Sequence, residues 1–154
     1  MGMYTEFVFG CSLVENLPEE ILRILCDMFK TTGTRKTELG IRLTRIPYQA
    51  SEYFGVSFPS SSLKYDRFKR SYVVSIRCNL KNYENEIDTF LNWIAPYVDN
   101  GSGESNFLGY SIYEEAVMPN LYFLDENTHR VIELRAPLKK PWEQTIGRSI
   151  YEIH

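Results

Sequence analysis

A chain of 154 residues with 44 % apolar and 24 % charged residues is long enough to bury a core, and it reads as a single globular domain, 1–154. A formal charge of −3 excludes a surface that attracts nucleic acid everywhere, and equally an acidic mimic of it, while leaving room for a local patch. Cys11, Cys26 and Cys78 are odd in number and have no CxxC spacing, no segment approaches a transmembrane span, and no signal-type start is present. The expectation is therefore a cytoplasmic protein with reduced thiols and no membrane partner.

In chain order, residues 4–13 alternate with period two, placing Phe7, Phe9, Cys11 and Leu13 on one side of a strand. Asn16-Leu17-Pro18-Glu19 supplies an N-cap, a first-turn proline and an acid. A helix then runs to about Phe29, with Ile21, Ile24, Leu25 and Met28 on one face and Gly33 after it. Residues 38–46 and 52–58 read as two strands joined through Pro47. Residues 59–70 read as a loop connector, with Lys64, Arg67, Lys69 and Arg70 interleaved with Tyr65 and Phe68 and diluted by Asp66.

A strand over 72–80, Asn82 as N-cap, and a helix over 83–95 with Ile87, Phe90, Leu91 and Ile94 inward come next, ended by Pro96. After the turn-rich 99–103, strands are predicted at 107–114 and 120–125, a hairpin turn at 125–128 and a further strand at 130–135. The tail 137–154 spaces Trp142, Ile146 and Ile150 by four, a short docked helix.

These elements repeat. Phe7 to Leu13 matches Val74 to Leu80 at a shift of 67 positions, the helices follow at 66, and the later strands match at 69. Two pseudo-repeats, about 4–58 and 72–125, give an α+β fold: a duplicated β-α-β-β unit forming a mainly antiparallel sheet with two helices packed on one face.

If the alternating apolar residues face the helices, the opposite face holds Val8, Gly10, Ser12, Arg42, Thr44, Tyr53, Gly55, Ser57, Val73, Ser75, Arg77, Asn79, Gly109, Ser111, Tyr113 and Tyr122. Arginine offers a planar fork for carboxylate or phosphate, and tyrosine offers a ring with a wet hydroxyl. Arg42, Tyr53, Arg77, Tyr113 and Tyr122 are accordingly the candidate ligand- or partner-binding residues. A plain solvated sheet face and a homodimer interface are the competing readings.

Catalysis has no support in the residues. Glu114 and Glu115 point to opposite faces of a strand, His129 and His154 lack partners at metal-ligand spacing, and no nucleophile or phosphate-loop motif occurs. No catalytic residue, metal or cofactor is assigned. The basic stretch at 64–70 is read as solvated loop charge, so nucleic acid is not the expected partner.

Cys78-Asn79-Leu80-Lys81-Asn82-Tyr83 with Glu86-Ile87 and Trp93-Ile94 carries a resemblance, as does Leu108-Gly109-Tyr110 with Tyr113-Glu114-Glu115 and Pro119-Asn120-Leu121. Over about half its length the chain resembles small proteins of unknown function from phages and mobile elements of Gram-positive bacteria. The resemblance implies a non-enzymatic protein that sequesters or blocks a partner, including as an inhibitor of a host-defence component (an anti-defence role). A small anionic or nucleotide ligand held between the repeats, and immunity against a co-encoded toxin, are the alternatives.

Overall fold

The apolar alternation of the first segment becomes β1 (Thr5–Ser12) in the computed structural model, which describes residues 4–30, 61–83, 85–101, 106–136 and 152–153. Phe7 and Phe9 are fully buried, and Cys11 on the same side is half-buried. The amphipathic segment that follows forms α1 (Glu19–Lys30), with Glu19 and Glu20 in its first turn where the helix dipole favours acids. Ile21, Ile24, Leu25 and Met28 are all buried, as the spacing predicts. The cap differs from the prediction. The Leu22 N–H donates to the Pro18 carbonyl, so Pro18 rather than Asn16 closes the first turn.

The segment read as a loop connector contains a strand. β2 (Ser62–Asp66) pairs antiparallel with β3 (Ser71–Leu80), joined by a turn over Arg67–Arg70. Its pattern is too short and too polar to register as a strand, because an edge strand packs only Leu63 and one face of Tyr65 inward. α2 (Glu86–Ile94) starts three residues later than predicted and buries Ile87, Phe90, Leu91 and Ile94. A 3-10 turn at Ala95–Tyr97, holding Pro96, ends it. β4 (Phe107–Tyr113), β5 (Asn120–Leu124) and β6 (Val131–Arg135) follow. β7 (Glu152–Ile153) pairs with β6, so the end of the tail is a strand. The predicted helix around Trp142, Ile146 and Ile150 lies outside the described residues, as do the predicted strands at 38–46 and 52–58.

The strands form one antiparallel sheet in the order β2-β3-β1-β4-β5-β6-β7. Both helices contribute to a single core with the same side of β1 and β3, so the α+β layering is as expected. The Phe90 ring stands edge-on to Phe9 at 5.1 Å and to Phe7 at 6.1 Å, contacts worth about 0.5–1.5 kcal/mol each beyond their buried area. In the β1–β3 ladder, Phe7 pairs with Cys78, Phe9 with Ile76 and Cys11 with Val74.

One expectation about faces is overturned. Gly109, Ser111 and Tyr122 lie on the helix side of the sheet and are buried. β4 carries a bulge between Phe107 and Gly109, which buries Leu108 and Gly109 together and shifts the alternation beyond them. The shift sends Tyr110 and Ile112 to the face away from the helices, opposite Val8 and Glu6.

Candidate functional site

The helix-free face is built by strand alternation, and it divides into two halves. On β2, β3 and the end of β1 it is polar: Lys64, Ser75, Arg77 and Gly10 are exposed there. Toward β6 it becomes apolar. The registers line up one row across the sheet, from Arg77 to Val8, Tyr110, Leu121 and Leu134. Val8, Tyr110, Leu121 and Leu134 are half-buried. In such a row neighbouring side chains touch, and a flat partner meets a cation, a ring and three aliphatic groups in sequence.

Arg77 is held rather than loose. Its Nε donates to Glu6 Oε1 at 3.2 Å, and the Glu6 side chain is only 7 % exposed while that of Arg77 is 49 % exposed. The buried carboxylate thus holds the Nε edge of a guanidinium that remains half-exposed. That arrangement is a preformed fork for a carboxylate or phosphate. Asn79, directly across from Glu6, is 1 % exposed, and neither its Oδ1 nor its Nδ2 has a partner among the described residues. An unmatched buried amide of this kind costs about 1–3 kcal/mol.

Of the sequence-predicted site residues, Arg77 alone lies on this face among the described residues. Tyr122 is 3 % exposed, its ring is edge-on to Phe7 at 6.3 Å, and its hydroxyl shares a 2.7 Å hydrogen bond with Ser111 Oγ. Burial raises its phenol well above the ordinary value, partly opposed by the Ser111 bond. It is a core residue, and its assignment to the open face is corrected. Tyr113 pairs across from Thr5, on the helix side, and is 39 % exposed at the strand end. Arg42 and Tyr53 lie outside the described residues. The structure therefore does not bring Arg77, Tyr113 and Tyr122 together.

Glu6, Tyr110, Leu121 and Leu134 are absent from the face that the sequence pattern defines. Glu6 is signalled only by carrying the β1 alternation one step back from Val8. Tyr110 faces away from the helices beyond the β4 bulge, which has no strong sequence mark except Gly109.

A second concavity of about 200 Å³ opens where β1 beyond Phe9 and β4 before Gly109 part. Gly10, Ser12, Lys69, Asp99, Asn100 and Phe107 line it. Asp99 Oδ1 accepts the Gly101 N–H at 3.2 Å, and Asn100 Oδ1 is buried without a partner among the described residues. Cys11 also borders this space, and burial pushes its thiol up to about 12, so it is no nucleophile at neutral pH. Among the described residues no group of three or more His, Cys, Asp or Glu is placed to hold a metal, and no helix is long and apolar enough to cross a membrane.

No family model, no curated protein and no solved structure matches this chain.

Proposed function

We propose that this chain is a non-enzymatic binding protein that sequesters or blocks a partner protein through the helix-free sheet face. The observation that carries this reading is the cross-sheet row Arg77–Val8–Tyr110–Leu121–Leu134, begun by a guanidinium anchored on buried Glu6. Arginine and tyrosine beside aliphatic side chains are the composition of interface anchors. The matching partner surface has a carboxylate next to an apolar strip. The resemblance to small proteins of phages and mobile elements supports a setting in which that partner is a host-defence component; a co-encoded toxin would use the same face.

The duplicated unit belongs to this reading as well. Phe9 and Ile76 are equivalent under the 67-residue repeat, and they are also direct partners in the β1–β3 ladder. Equivalent residues pair with each other where a local two-fold axis crosses an antiparallel ladder, which supports a unit folded against its own copy. The cavity between β1 and β4 draws on both pseudo-repeats, and its unpartnered Asn100 oxygen favours a small-ligand site there as the second reading.

The test is affinity capture from host lysate with the wild-type chain and with a Glu6→Gln, Arg77→Gln double variant, which removes both charges together and keeps the shape of the buried Glu6. Loss of the captured protein at an unchanged melting temperature is the expected result. Equal capture by both proteins overturns the assignment of this face. A small molecule retained in a native mass spectrum of the wild type would transfer the proposal to the cavity.

A further inference from the structure

A different surface carries a second binding function. The β2–β3 hairpin ends in a turn over Arg67–Arg70 whose apex residue, Phe68, is completely exposed. The turn is well defined. Asp66 Oδ1 accepts the backbone N–H groups of Phe68 at 2.9 Å and of Lys69 at 3.2 Å, and Arg70 closes the turn at φ 52°. Phe68 is thus presented on a fixed support with both ring faces open. Tyr65, 52 % exposed, stands nearer the base of the same hairpin against Tyr72 at 5.1 Å between ring centres.

Charge is concentrated on the same seven residues. Lys64, Arg67, Lys69 and Arg70 face a single acid, Asp66, in a chain that carries more acids than bases overall. The Asp66 carboxylate is occupied by the turn's own N–H groups. Arg70 approaches Glu15 only to 4.0 Å, with both side chains mostly exposed. Lys64, Arg67 and Lys69 have no acidic partner among the described residues. A ring exposed to this degree offers both faces for stacking, and the surrounding cations favour an anionic occupant.

We infer that the β2–β3 hairpin is a docking site for single-stranded nucleic acid, with Phe68 and Tyr65 stacking on bases and Arg67, Lys69 and Arg70 engaging phosphates. The order favours a strand over a bilayer: Phe68 stands between Arg67 and Lys69, a ring flanked by cations that matches the base-and-phosphate rhythm of a single strand. Insertion into lipid would instead call for apolar neighbours around Phe68, where Arg67 and Lys69 stand. This site is separate from the Arg77 row, so either can fail without the other.

Fluorescence anisotropy of the full chain with labelled oligo-dT and oligo-rU, from low to moderate salt, tests the inference. Binding is expected to fall steeply with salt, with a log–log slope of about −2 for three phosphates neutralised on a single strand. Phe68→Ala should weaken it about tenfold with the slope retained, since stacking carries no counterion release. Arg67→Gln should make the slope shallower by about 0.7. Phe68 touches no core residue, so an unchanged melting temperature separates these effects from misfolding. No binding at low salt overturns the inference, as does binding indifferent to Phe68→Ala. So does Phe68-dependent binding to phosphatidylserine vesicles without binding to either oligonucleotide.

Discussion

A β-carbon at Gly109 would stand 1.9 Å from the Val8 carbonyl oxygen, and the residue holds a φ of +150°, where side chains other than hydrogen are strained. Its backbone approach lets β4 take up the bulge and still pair with β1. Gly109→Ala should therefore destabilise by at least about 3 kcal/mol, combining strain with a forced shift of the ladder; chemical denaturation is the check. The thiols give a second residue-scale expectation. Burial raises Cys11 from 9.0 to about 12, and it raises Cys78 further, with the Glu6 charge adding to the effect. A thiol that holds its proton more tightly when folded contributes its full stability below the unfolded value near 9. That contribution is lost as the pH climbs toward 12. Denaturation midpoints should fall across this alkaline window, and thiol reagents at pH 8 should leave Cys11 and Cys78 unlabelled until the chain is unfolded.

At the scale of elements, α2 shows how a helix start can be supported from outside its first turn. Asn85 precedes the helix in the left-handed region at φ 54° and its side chain makes no cap bond. The Asn82 Oδ1 instead accepts the Ile87 N–H at 3.0 Å, five residues on. Asn82→Ala should cost about 1 kcal/mol, the usual worth of a side-chain cap, and lower the melting temperature without altering the β ladder. Asparagine before an apolar 3–4 pattern is a strong local signal that points to Asn82, yet the N-cap position itself is Asn85, since the helix starts later than the pattern suggests. The edge strand β2 was not legible in the sequence. Its five residues include Lys64 and Asp66, and only pairing with β3 makes them a strand. Tyr122 failed for a related reason. Period two predicts that neighbours alternate, yet which set faces the core depends on the strand beside it, and there the bulge intervenes.

Across the whole molecule, β1 lies between β3 and β4, and the core residues Phe7 and Phe9 project from it onto α2. Native-state hydrogen exchange should therefore be slowest in β1 and the facing part of β3. It should be fastest at β2 and β7, the two outer strands of the sheet. Slow exchange at β2 would mean that its outer edge is covered in solution. The same architecture sets the two proposed surfaces apart: the Arg77 row crosses the middle of the sheet, while Phe68 sits at the tip of its edge hairpin.

The sequence by itself determined the two amphipathic helices, six of the buried positions on β1 and β3, the later hairpins and the α+β class. Those features follow from local periodicity, capping chemistry and turn residues, each read within a dozen positions. Only the tertiary structure decided which residues share a face. The fork of Arg77 on Glu6 spans 71 positions, the burial of Tyr122 hangs on a bulge in the neighbouring strand, and the exposure of Phe68 on a pairing between β2 and β3. Side-chain orientation in a sheet is inherited from partner strands, and a single chain pattern carries no record of which strand its partner will be.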